Sequence, residues 1–110
     1  MIPLTQRVGG KLAIAVAICL FFGGAHAYAG ESEITIDNFT FSPPELTVKV
    51  GSTVTWKNHD DIPHTVVSAG KFRSKTMDTD GSFSFTFTAA GSYTYFCSLH
   101  PHMTGMIKVE

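Results

Sequence analysis

The chain has 110 residues, 44% hydrophobic and 15% charged, with a formal net charge of −1 at pH 7. The length holds one small domain, and the balance of charge lacks the basic patch that nucleic-acid binding needs, which excludes that class of partner.

Arg7 and Lys11 flank the start of an apolar run, LAIAVAICLFFGG (Leu12 to Gly24), which leads into the small-x-small sequences AHA (Ala25 to Ala27) and AYA (Ala27 to Ala29). This order has the pattern of a secretory signal peptide. The run is too short for a membrane span, which takes about 20 apolar residues. We therefore expect residues 1–29 to be a cleaved leader and residues 30–110 to be the mature domain, periplasmic, with no stable membrane insertion after cleavage. From Gly30 onward, six Lys and Arg stand against nine acids, a net charge of −3. Cys19 lies in the leader, so the mature domain keeps Cys97 alone and has no disulfide. A free thiol in an oxidising compartment is a liability unless something occupies it.

After the leader, the chain alternates with the period of strands. SEITIDNFTF (Ser32 to Phe41) puts Ile34 and Ile36 on one face, ELTVKV (Glu45 to Val50) groups Leu46, Val48 and Val50, and STVTWKN (Ser52 to Asn58) does the same with Val54 and Trp56. SPP (Ser42 to Pro44) and Gly51 mark turns between them. Lys71, Arg73 and Lys75 alternate in KFRSK; one strand face could carry them toward an acidic partner, and a solvated edge protected by lysine is the plainer reading. DTDG (Asp78 to Gly81) resembles a fragment of a calcium loop, but Phe87 stands where the bidentate Glu belongs, so it reads as a turn. NFT (Asn38 to Thr40) is formally a glycosylation acceptor inside strand-like sequence.

SFSFTFT (Ser82 to Thr88) alternates Phe83, Phe85 and Phe87 with hydroxyl residues, and SYTYFC (Ser92 to Cys97) and GMIKVE (Gly105 to Glu110) close the chain. About seven short strands with turns between them predict an all-β, antiparallel sandwich.

The segment CSLHPHMTGM (Cys97 to Met106) gathers one cysteine, two histidines and two methionines. Cys97, His100 and Met103 are spaced three apart, and residues i and i+3 of a reverse turn approach within about 7 Å. One loop can therefore aim a thiolate, an imidazole and a thioether at one point. His64 in DDIPHTV (Asp60 to Val67) follows the Trp56 strand and can reach the same end of a sandwich. Two imidazoles and a thiolate with a weak axial thioether suit copper of the blue type, whereas structural zinc sites use two to four thiolates and no methionine. His59 and His102 are expected to be exposed.

The stretches FSPPELTVKVGSTVTWKNHDDIPHTV and GSYTYFCSLHPHMTGMIKVE resemble the cupredoxins, the type 1 blue copper proteins. The Cys-x-x-His-x-x-Met spacing is most similar to that of the amicyanins among them. The resemblance implies a Greek-key fold and one copper ion held by His64, Cys97, His100 and Met103, the assignment of His64 resting more on the likeness than on spacing. It implies, too, that the edge of His100 is the electron's exit, with Leu99, Pro101 and Met106 around it. As a ligand Met106 is a poor candidate. Thr65 stands where many of these proteins have Asn after the first histidine, and could still offer its N–H to the Cys97 sulfur. Leu99 stands where proline is frequent.

The function so implied is one-electron transfer between redox proteins, for instance an amine dehydrogenase or a c-type cytochrome, by a monomer that is not an enzyme. A periplasmic copper-binding or copper-delivery module is the alternative that shares these ligands. A copper oxidase or nitrite reductase would need further histidines and an open metal position.

Overall fold

The structure, a computed structural model, describes residues 29–110. The expected leader, with Cys19, lies outside the described residues except for its last position. Among the described residues nine strands follow in order: β1 Glu31–Asp37, β2 Thr40–Ser42, β3 Glu45–Val48, β4 Thr53–Asn58, β5 Val67–Ser68, β6 Phe72–Arg73, β7 Ser82–Thr86, β8 Gly91–Phe96 and β9 Thr104–Val109. They form two sheets, ordered β2-β1-β4-β7 and β3-β9-β8-β5-β6. This is the all-β sandwich that the alternation predicts. Most strand pairs are antiparallel, but β1 with β4 and β3 with β9 run parallel, because the chain visits the opposite sheet between the members of each pair. Among the described residues no helix is long and apolar enough to cross a membrane.

The alternating positions explain the core. Ile34 and Ile36 on β1 and Val54 and Trp56 on β4 are wholly buried, facing Tyr95 on β8 and Ile107 on β9. Each such side chain contributes roughly 1.5–3 kcal/mol of burial free energy. Trp56 meets Tyr95 edge-on at 5.3 Å between ring centroids. Because side chains alternate along a strand, Cys97, two residues after Tyr95, turns inward as well and ends up fully buried. The strand's period thus delivers the thiol to the interior at one end of the sandwich.

Two local expectations are corrected, and two short strands join those that the alternation marks. The run Ser32 to Phe41 is a hairpin of two strands, with Asn38 and Phe39 as its two-residue turn and Ile36 paired with Phe41. Apolar alternation cannot register that reversal, since Phe41 returns to the core from the other arm. The glycosylation-type sequence at Asn38 therefore sits in an exposed turn. Val50 lies past the end of β3 and is 43% exposed. Gly51, at φ +95°, swings the chain around there in a conformation open mainly to glycine. Finally, β5 and β6 have two residues each, too few to show a period. Lys71, Arg73 and Lys75 are all exposed beside β6, an edge strand, and DTDG is a turn with Gly81 N–H donating to the Asp78 carbonyl.

Candidate metal centre

The loop after β8 is built from successive tight turns. His100 N–H donates to the Cys97 carbonyl at 3.2 Å and Met103 N–H to the His100 carbonyl at 2.9 Å, while Cys97 N–H donates to the Met103 carbonyl at 3.1 Å. The three-residue spacing of Cys97, His100 and Met103 is therefore the spacing of the turns themselves. Met103 is buried and His100 half-buried, with exposed Leu99 and Pro101 on either side.

His64 arrives from the loop between β4 and β5. Asn58, wholly buried at the end of β4, organises that loop: its side-chain amide donates to the carbonyls of Ile62 and Met77, both at 3.0 Å, and its Oδ1 accepts from Asp60 N–H at 2.9 Å. His64 then pairs through its main chain with Met77. Pro63, lacking an N–H, takes no part in that pairing.

These two loops bring three donors together. Cys97 Sγ, His64 Nδ1 and His100 Nδ1 lie within 4.8 Å of one another, each nitrogen 3.7 Å from the sulfur. With donor bonds of about 2.0–2.3 Å, both pairs can close on one cation. The imidazole rings are 5.0 Å apart.

Electrostatics prepare the sulfur for that role. Burial alone would raise the Cys97 pKa, but the Thr65 N–H, then the His64 and His100 imidazoles and the Leu99 N–H, bring it down to about 6. At neutral pH the thiol is therefore largely thiolate, the form that ligates metals. Thr65 N–H donates to Sγ at 3.4 Å, as its position predicts. Its hydroxyl also accepts from Ser98 N–H at 2.7 Å and meets Ser98 Oγ at 2.8 Å. Threonine thus ties the two donor loops together.

Asp60 had no assigned role in the sequence. Its carboxylate accepts the N–H groups of Asn38 and Phe39 at 2.8 and 2.9 Å and meets His64 Nε2 at 2.8 Å. Desolvation works against the charged carboxylate, yet the Phe39 N–H, the His64 imidazole and the Asn38 N–H together hold Asp60 below the usual carboxylate range. An ionised carboxylate can only accept, so Nε2 carries a proton, which leaves Nδ1 as the nitrogen that can turn a lone pair to a metal. A histidine four residues after an acid is the available sequence signal, and Asp61 beside it makes that signal ambiguous. Phe39, whose ring touches both imidazoles, left no signal at all. His59 and His102 are exposed, as expected, and Met106 lies along β9, half-buried beside Pro44.

Known proteins share this arrangement of sequence and fold. A sequence profile of the cupredoxin-like domain matches residues 11–109. Amicyanin from Paracoccus versutus is 40% identical over 83 residues, which cover 70% of this chain and 63% of that protein. Amicyanin from Paracoccus denitrificans is 37% identical over 95 residues, covering 81% and 72%. Among solved structures, the Cu(I) form of an amicyanin mutant superposes with a TM-score of 0.71 at 37% identity, covering 78% of this chain and 88% of that one.

Proposed function

The chain belongs to the cupredoxin family, and from that premise we propose that it is a small blue copper protein carrying single electrons between redox proteins, with His64, Cys97, His100 and Met103 as its metal ligands. The observation that carries this reading is the approach of both imidazole Nδ1 atoms to within 3.7 Å of a buried, acidified thiol. Soft sulfur with two imidazoles is a donor set that suits copper, and the copper bound there supplies a Cu(I)/Cu(II) couple.

The residues around the site favour transfer without rearrangement. Asp60 holds the ring and tautomer of His64, Thr65 donates to the sulfur and locks its loop to Ser98, and the turns from Cys97 to Met103 fix the rest. A site already assembled has little to move when charge changes. His100, half-buried between exposed Leu99 and Pro101, is the route by which an electron leaves, and a small apolar contact there suits partners that must dissociate quickly. An amine dehydrogenase or a c-type cytochrome fits such a contact. The protein is a carrier and not an enzyme; residues 30–110 are its working domain, delivered to the periplasm by a leader at 1–29.

The test is an optical and electron-paramagnetic spectrum of the copper-loaded, oxidised protein. We expect a strong visible thiolate-to-copper band that Cys97→Ala abolishes; a band that survives the substitution sinks the assignment. A copper-delivery role would instead give rapid copper loss to a chelator together with slow electron self-exchange.

A further inference from the structure

Phe39 occupies a position that its turn reserves for glycine. Asn38 and Phe39 are the two central residues of the β1–β2 hairpin, with φ of 52° and 58°. Turns of that kind take Asn readily at the first place and favour glycine at the second, because a bulky side chain in the left-handed region is an outlier. Core burial does not account for the choice, since the residue is 43% exposed. Strain kept at one residue points to a role there.

The ring's neighbours supply the role. Its centroid is 5.0 Å from that of His100 and 5.5 Å from that of His64, and it stands edge-on to each, at 88° and 87°. With the two imidazoles 5.0 Å apart, the three rings close a triangle in which Phe39 is the member with no donor atom. The turn cannot drift away. Both of its N–H groups are bonded to the Asp60 carboxylate, and the same carboxylate meets His64 Nε2. One side chain thus fixes His64 and also fixes the residue that leans on it.

Resting on the copper reading above, we propose that Phe39 is a positioning residue of the centre: its ring braces the His64 and His100 imidazoles at their mutual angle before any ion binds. His100 has the greater need. It sits in the half-exposed loop and, among the described residues, has no carboxylate partner of the kind that Asp60 gives His64, so that beyond the Cys97 sulfur, 3.7 Å from its Nδ1, only a packed neighbour keeps its ring from turning.

Phe39→Leu and Phe39→Tyr in the full chain separate this from a merely apolar surface residue. In the metal-free protein, nitrogen relaxation dispersion of the two imidazoles reads ring motion on the μs–ms scale. Dispersion is the readout because loss of an aromatic ring shifts signals by itself. We expect exchange broadening of His100 in Phe39→Leu, with backbone amide signals away from the turn unchanged. We also expect removal of Cu(I) by excess bicinchoninate to be about tenfold faster, the size of effect seen when groups supporting metal ligands are lost. Phe39→Tyr restores both. Imidazole signals as sharp in Phe39→Leu as in the parent, or a tyrosine variant as disturbed as the leucine one, overturn the proposal. Broadening in Phe39→Leu while the parent protein forms no visible copper band leaves the brace standing and removes the copper reading instead.

Discussion

At the scale of single residues, Asp60 does more than its exposed sequence neighbours. Its carboxylate accepts three hydrogen bonds, one of them from a candidate ligand. Asp60→Asn keeps the shape but surrenders the charge, and hydrogen bonds to charged groups contribute about 1.5–3 kcal/mol. We expect the metal-free variant to lose stability on that scale in urea denaturation at pH 7. The pH dependence has a definite sign. A carboxylate held below its ordinary value stabilises the fold in full above the ordinary carboxylate range, and the contribution fades as pH falls through the lowered folded value. The parent should therefore weaken below about pH 4, and Asp60→Asn should flatten that part of the curve. On the proposed ligand set, Met103→Leu would remove the thioether and leave the other donors in place. Copper should be retained and the reduction potential shifted, as protein-film voltammetry would record.

At the scale of elements, β8 and β9 set the depth of the site. Tyr95 and Gly105 face each other across that pair, and a Cβ on Gly105 would collide with the Tyr95 ring. Gly105 is therefore required for close approach. Gly105→Ala should cost about 1–3 kcal/mol through overpacking and lower the thermal midpoint. Because Tyr95 lies two residues before Cys97 on the same inward face, the variant should also perturb the visible copper band. An unchanged midpoint would mean that the ring swings aside freely. Between elements, the Thr65 and Ser98 bonds join the β4–β5 loop to the β8–β9 loop. Thr65→Val deletes them while keeping the N–H to the sulfur.

At the scale of the whole molecule, the donors and their supports come from three separate connections: the β1–β2 turn, the β4–β5 loop and the β8–β9 loop. An ion held by His64, Cys97 and His100 would link two of these loops directly and the third through Asp60. A ligand that binds only the folded state stabilises it by mass action, about 2.7 kcal/mol at a hundredfold excess over its dissociation constant. Copper should therefore raise the calorimetric unfolding temperature of the parent by several degrees and raise that of Cys97→Ala far less. Equal shifts in the two proteins would place the ion elsewhere.

The sandwich is legible along the chain in the period-two burial of Ile34, Ile36, Val54, Trp56, Tyr95 and Ile107, and so is the thiol loop, in a spacing of three that turns convert directly into proximity. Local periodicity and local spacing are short-range properties, and short-range properties are written along the chain. Tertiary structure alone decided that Asn38 and Phe39 reverse the chain, that Asp60 rather than Asp61 meets His64, and that a phenylalanine in a strained turn reaches both imidazoles. The ring contacts join residues 25 and 61 positions apart and the carboxylate contact chooses between adjacent identical side chains, and nothing in a linear pattern fixes which surfaces the folded loops bring face to face.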